Sequence, residues 1–437
     1  MKKKETLSLI FALLLATALT GCQPNGETEK KSFESAPNLI NNEQTAGIEI
    51  PEGFEATVFA EELGRARHIT VRENGDVYVA LRELNDGHGI AALRDVDGDH
   101  KADSIAYFGD LPGTGIDIRD NYLYFAPDTA VMRYAFNGDE LVPSGDPEII
   151  VGNFPLETQH AVKPFTFDDS GNMYVNVGAP SNACMKEMRT KGSPGMDPCP
   201  ILEDYGGIWK FNADQPGQKK NGDENRYATG IRNAVALDWN HNAGSLYALQ
   251  HGRDQLKTFF PDLYNEKMSA ELPAEEFFKV EDGSDFGWPY AYYDQQKGKK
   301  VLMPEYGGDG EKVGRAANFD DPIIGFPGHW APNDLLFYTG NLLPEAYKNG
   351  AFIAFHGSWN RAPLPQQGYK VVFVPFDKDL PAEDYFTFAR GFKGADSLAS
   401  PGNAEYRPMG LAQDEDGALM ITDSQEGRVW RVAPAGN

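Results

Sequence analysis

The sequence predicts an all-β chain folded as a six-bladed β-propeller. Three observations predict it. One strand–polar turn–strand unit recurs six times. Helical periodicity is confined to short stretches such as 344–348. A strand-like run, Phe54 to Phe59, stands ahead of the first unit, free to complete the last one. Asx-Gly between β-rich runs is a hairpin signal, and a unit repeated around a ring is the propeller pattern. A two-sheet sandwich is the competitor, but it rarely repeats one unit six times.

The units follow in order. Ile69-Thr70-Val71 turns at Asn74-Gly75 into Val77-Tyr78-Val79-Ala80. Gly115-Ile116-Asp117-Ile118 turns at Asp120-Asn121 into Leu123-Tyr124-Phe125. Phe165-Thr166-Phe167 turns at Ser170-Gly171 into Met173-Tyr174-Val175, and Val235-Ala236-Leu237 leads to Leu246-Tyr247-Ala248. A looser unit joins Leu335–Tyr338 to Phe352–Phe355, and the last runs from Met409 through Asp416-Gly417 to Leu419-Met420-Ile421 and Val429–Val432. Unequal spacing reflects insertions, chiefly 182–204 and 259–285, expected to crowd one face and carry function.

Residues 1–21 read as a lipoprotein signal peptide. Lys2 to Lys4 form a basic region, Leu7 to Leu19 an apolar one, and Leu19-Thr20-Gly21-Cys22 resembles a bacterial lipobox. That resemblance implies lipidation at Cys22, the first residue of the mature chain, and a diacyl group suffices for stable anchoring. Residues 22–47 are polar and read as a flexible tether. The folded domain is expected over 48–437, exported and lipid-anchored at the periplasmic face of the outer or inner membrane, or at the cell surface. Membrane contact is through the anchor only. In such a compartment Cys184 and Cys199, 15 apart, are expected to form a disulfide rather than a metal site. A formal charge of −25 argues against nucleic acid as a partner, because its phosphates would be repelled.

Chemistry concentrates on the fourth unit. Gly230-Ile231-Arg232-Asn233 precedes its first strand, and His251-Gly252-Arg253-Asp254 follows its second. A guanidinium beside an amide suits a planar ligand rich in carboxylates and carbonyls, and a glycine turn can aim backbone carbonyls at a cation. Ordinary surface loops are the alternative for either motif alone.

With Phe286-Gly287-Trp288-Pro289-Tyr290, His356-Gly357-Ser358-Trp359-Asn360-Arg361 and Tyr406-Arg407-Pro408, these motifs stand in an order that resembles the pyrroloquinoline quinone (PQQ)-dependent sugar dehydrogenases, the soluble glucose and sorbosone dehydrogenase family. The resemblance spans about residues 51–432. It implies PQQ and Ca²⁺ bound on one face of the propeller, oxidation of an aldose or sugar aldehyde, and a separate electron acceptor, a cytochrome or quinone. His160 matches the family's catalytic base, and an imidazole is a suitable acceptor for an alcohol proton. Arg232, Asn233 and Arg407 match cofactor contacts, Asn360 and Arg361 are expected to add a clamp, and Trp330 an aromatic wall. The carbonyls of Gly252 and Arg253 match the ligands of the cofactor's calcium.

Three positions depart from the pattern: Lys163, His251 and Glu405 stand where relatives carry an arginine, an asparagine and a second arginine. A separate acidic run, with Asp95, Asp97, Asp99 and Asp103, reads either as a second calcium site or as a solvated turn. A calcium-dependent propeller lactonase and a non-catalytic carbohydrate- or protein-binding propeller are the alternative functions, because fold alone does not settle function.

Overall fold

The computed structural model describes residues 36–436. Six antiparallel sheets of four principal strands follow one another along the chain, and the first strands of successive blades are neighbours all the way round. These inner strands are Ala66–Val71, Gly113–Arg119, Phe165–Phe167, Ala234–Asn240, Pro332–Phe337 and Pro408–Gln413. The ring closes as expected: Phe54–Ala60 pairs with Val429–Pro434 as the outer strand of the sixth blade.

Strand alternation builds the core. Successive side chains point to opposite faces, so each blade offers one residue set to the blade before it and the other to the blade after. On the second blade, Tyr124 packs toward Met173, Val175 and Trp209 of the third, while Phe125 packs toward Tyr78 and Ile90 of the first. Each consecutive pair of blades shares such a cluster, that of blades four and five including Tyr247, Phe277, Phe337 and Phe355.

Antiparallel pairing fixes which loops meet. In each blade the start of the inner strand lies beside the end of the second: Ala234 opposes Gln250, Pro332 opposes Phe355, and Pro408 opposes Asp423. Residues just before an inner strand and just after a second strand therefore gather at one end of the ring. Partway down the axis Val162, Val235 and Met409 form an apolar cluster. Beyond it, a cavity of about 210 Å³ is lined by inner-strand residues including Thr70, Asp117, Thr166, Asp238 and Asp334.

Two sequence boundaries need correction. Residues 39–47, expected within the tether, are docked on the domain: Leu39–Ile40 pairs with Ile50–Pro51, and the Gln44 carbonyl accepts from Ala56 N–H at 2.8 Å. Exposed polar side chains hid these backbone bonds. The 259–285 segment contains a blade strand, Glu275–Val280, so the inserted part ends near Ala274; a further hairpin, Ala291–Asp294 with Lys299–Leu302, interrupts the same blade. Cys22 and the 1–21 segment lie outside the described residues.

Candidate active site

At the end where those loops meet lies a cavity of about 360 Å³, lined by residues of five blades, among them Arg67, His160, Arg232, Asn233, Asn360 and Arg407. Its reach across the ring follows from the loop geometry. His160 and Arg232-Asn233 precede the inner strands of blades three and four, Arg407 precedes that of blade six, and Asn360 lies beyond the second strand of blade five.

His160 sits at φ 56°, a left-handed conformation uncommon for a side-chain-bearing residue. Gly178 permits its position: a Cβ there would lie 2.5 Å from Asn233 Oδ1 and 2.6 Å from His160 Cβ. The imidazole Nδ1–H donates to the Ala179 carbonyl at 2.5 Å. A carbonyl only accepts, so Nδ1 carries the proton and Nε2 keeps its lone pair. Burial, reinforced by the Arg232 charge, lowers the imidazole to about 3, keeping it neutral.

Arg232 is almost fully buried. It donates to the Gly252 carbonyl at 2.8 Å and to Asp254 Oδ2 at 2.9 Å, with Asn182 Oδ1 at 3.3 Å. Its Nε has no partner, and neither do the buried acceptors Asn333 Oδ1 and Asn360 Oδ1 on the same cavity. Burial opposes ionisation of Asp254, but Arg232, His329 and Arg189 outweigh it and hold the carboxylate at about 2. Asn360 Nδ2 donates to the other oxygen of Asp254 at 2.7 Å.

Arg407 donates to the carbonyls of His356 and Gly357, at 3.2 and 2.6 Å. Arg67, which sequence reasoning missed, donates to Thr114 Oγ1 at 3.2 Å. Among the described residues neither arginine forms an ion pair, and burial with the Arg82 and Arg407 charges pulls Arg67 down to about 9. Both are half-buried, and a partly desolvated cation without a carboxylate is stabilised by a ligand that supplies the negative charge. Three arginines around one cavity, one with an unpartnered donor, fit a planar polycarboxylate such as PQQ. The only local signal for Arg67 was its place at the start of the first inner strand.

Four of the chain's eight histidines line this cavity: His160, His251, His329 and His356. His251 and His329 donate Nε2–H to the carbonyls of Pro332 and Ser269, at 2.8 and 2.9 Å. Burial lowers all four, so each is neutral at pH 7. Glu275 accepts from Gly252 N–H and Ala331 N–H, and burial pushes it up to about 7. It thereby fixes the turn that presents the Gly252 carbonyl. That carbonyl is engaged by Arg232, so a cation on it would have to displace the guanidinium.

Several expected contributors lie elsewhere. Trp330 does not line the cavity; its indole N–H donates to Gln367 at 3.2 Å, and Lys370 Nζ covers its ring 3.6 Å from the centroid. The Arg361 guanidinium is spent on Glu271 and the carbonyls of Ala270 and Gly328. The Arg253 side chain, as distinct from the backbone carbonyl expected to meet calcium, forms a fully buried pair with Glu305 at 2.7 Å. Lys163 is buried against the Ala161 carbonyl, and Glu405 borders a separate cavity with Lys393 and Gly394. Each was placed by its neighbours in sequence, whereas a long side chain reaches a partner set by the tertiary fold.

The insertion that holds Cys184 and Cys199 is closed by their disulfide, Cα–Cα 6.2 Å. It carries Asn182, which clasps Asp254 through both backbone groups, Oδ1 from N–H at 2.8 Å and Nδ2 to the carbonyl at 3.0 Å. On blade one, Asp95, Asp97 and Asp99 bring oxygens within 4.8 Å of one another; among the described residues no other group converges so closely. Asp103 instead accepts from Val96 N–H at 2.7 Å. This loop joins the third and fourth strands, at the opposite end of the ring from the cavity.

A sequence model of the family described as TrAA12-like matches residues 48–435. An uncharacterized protein of Borreliella burgdorferi is 26% identical over 411 residues, covering 91% of this chain and 94% of that protein. A pyrroloquinoline quinone-dependent pyranose dehydrogenase of Coprinopsis cinerea is 25% identical over 234 residues, 46% of this chain and 30% of that protein. The PQQ domain of the C. cinerea pyranose dehydrogenase, in its holo form, superposes with a TM-score of 0.70 at 19% identity, covering 88% and 97% of the two chains. A Trichoderma reesei protein of carbohydrate-active enzyme family AA12 superposes with a TM-score of 0.72 at 18% identity, covering 91% of this chain and all of the other. At such identities the superpositions show a shared fold.

Proposed function

Because the chain belongs to the TrAA12-like family, we propose that it is a PQQ-dependent oxidoreductase that oxidises the anomeric hydroxyl of an aldose or a related sugar aldehyde. The observation that carries this reading is His160, which keeps a proton-free Nε2 and lines a cavity bordered by three arginines, Arg232 buried and Arg67 and Arg407 half-buried. The pyranose dehydrogenase relative supports the same chemistry.

Arg67, Arg232 and Arg407 would hold the carboxylates of the cofactor, with Asn233 and Asn360 on its remaining oxygens. Bound PQQ supplies a quinone able to take a hydride from the sugar carbon. His160 Nε2 takes the proton of the hydroxyl, while Nδ1–H stays on Ala179 and holds the ring in the accepting tautomer. The carbonyls of Gly252 and Arg253 would hold a calcium ion, which would polarise the quinone; the Gly252 carbonyl accepts from Arg232 in this structure. Electrons leave to a separate acceptor, a cytochrome or quinone. A lipid on Cys22 would hold the domain at a membrane face.

The test is reconstitution of the purified protein with PQQ and calcium, followed by dye reduction over a panel of aldoses. Reduction with at least one sugar and a cofactor-dependent absorbance are expected. Neither signal with any sugar overturns the reading.

A further inference from the structure

A cavity of about 690 Å³ lies between the N-terminal stretch 41–49 and the fifth blade, and it shares no lining residue with the active-site cavity. Lys370, the first residue of that blade's third strand, borders it half-buried. Its Nζ rests over the Trp330 ring, and among the described residues the ammonium has no ion pair and no hydrogen bond. A ring face answers only part of an ammonium that carries three donors. Burial, with the Arg390 and Lys393 charges, pulls Lys370 down to about 8, so the charges acting on it are of its own sign.

Three cations thus line one hollow with little to balance them. Arg390 pairs with Glu49 at 2.8 Å, but Lys393 Nζ donates to the Asp396 backbone carbonyl at 2.6 Å rather than to a carboxylate. Asp396 and Glu405 border the cavity, yet among the described residues neither pairs with a lysine there. Tyr369, beside Lys370 in the wall, is 1% exposed, and its hydroxyl has no hydrogen-bond partner. A buried donor left unpaired is costly, as is a partly buried charge without its opposite. Ammonium and hydroxyl donors in excess of acceptors fit an oxyanion, and a phosphate accepts on several oxygens at once. The hollow is larger than a bare phosphate and leaves room for an organic group esterified to it.

We propose that this cavity binds the phosphate of a phosphate ester, held by Lys370 and Lys393 with Arg390 at its rim. The ester has two possible sources. One is a soluble phosphomonoester. The other is the head group of an anionic phospholipid, since the segment that walls the cavity leads back along the chain toward Cys22. The test is calorimetric titration of the purified full-length protein with inorganic phosphate, glycerol 3-phosphate and short-chain phosphatidylglycerol, against chloride at matched ionic strength. It does not depend on the redox reading.

The expected result is saturable phosphate binding below about 10 mM, at least tenfold weaker in Lys370→Gln and in Lys393→Gln. Lys393→Gln carries the test if Lys370→Gln does not fold. Tighter binding of glycerol 3-phosphate than of phosphate assigns the site to a soluble ester, and tighter binding of short-chain phosphatidylglycerol assigns it to a lipid head group. If neither exceeds inorganic phosphate, the ester is refuted. Absence of saturation overturns the site, and so does equal affinity in wild type and variants, which would place the anion among the arginines of the active-site cavity.

Discussion

His160 and Ala179 are joined by a hydrogen bond of 2.5 Å from imidazole Nδ1–H to backbone carbonyl, across the top of the third blade. The bond selects one tautomer and leaves Nε2 as the acceptor. His160→Ala should lower turnover 10²–10⁴-fold, the usual contribution of a positioned base, while the PQQ absorbance of the reconstituted protein persists. Turnover near wild type in that variant would remove His160 from the reaction.

The acid limb of the rate profile should lie far below the ordinary histidine range. Burial and Arg232 depress His160 to about 3. A depressed base stays unprotonated as pH falls, so kcat/KM should hold steady from pH 7 to about 5. A midpoint near 6.5 would show that the base is solvated in the working enzyme, or is another group.

Arg232 serves two partners, Gly252 and Asp254. Arg232→Ala should weaken PQQ by roughly tenfold or more, the scale of one charged hydrogen bond of about 1.5–3 kcal/mol. Calcium affinity, read by titration calorimetry, should be unchanged or tighter, because the competing guanidinium is gone from the Gly252 carbonyl. Weaker calcium binding in this variant would argue that the ion binds elsewhere.

Asp238 gives a stability test away from the cavity. Its carboxylate accepts from Thr166 Oγ1 at 3.3 Å and from Phe337 N–H at 2.8 Å, tying the inner strand of blade four to those of blades three and five. Burial raises it to about 7, from 3.8. A raised carboxyl contributes stability while protonated and loses that contribution as pH climbs from about 4 through 7. The Tm of Asp238→Asn, measured against wild type, should therefore shift in the variant's favour between pH 5.5 and 8.5. Taking the difference cancels the buried histidines, which titrate with the opposite sign. A constant difference would mean that Asp238 is already ionised and satisfied.

The disulfide and Asn182 connect stability to the site. Cys184→Ser should cost about 3 kcal/mol by the loop-closure model for 15 residues, read as a lower denaturation midpoint. PQQ affinity should fall with it, since Asn182 steadies Asp254 and through it Arg232. Unchanged affinity would separate the insertion from the site.

The propeller was legible because its signals are local. Tyr78, Tyr124, Tyr174 and Tyr247 recur at one place in four blades, each on a second strand opposite Thr70, Asp117, Thr166 and Asp238. A period of two and an Asx-Gly turn need no knowledge of the rest of the chain. His160, Arg232, Asn233, Asn360 and Arg407 were legible at the site because each lies close to the end of a strand that the repeat had already located. Arg67 had the same placement but no motif around it, and the docked 39–47 segment is held partly by backbone bonds that leave no mark on side-chain composition.

By itself, then, the sequence determined the number of blades, the strand from 54–59 that closes the ring, and the end of the ring where the candidate site residues gather. Tertiary structure alone decided which long side chains share the cavity. Trp330 and Arg361 are drawn off to Gln367 and Glu271, while Arg67 is brought to the same cavity as Arg232. The physical reason is reach: strand periodicity fixes where a Cα lies, but a guanidinium several bonds away settles on whichever carboxylate or carbonyl ring closure has brought beside it.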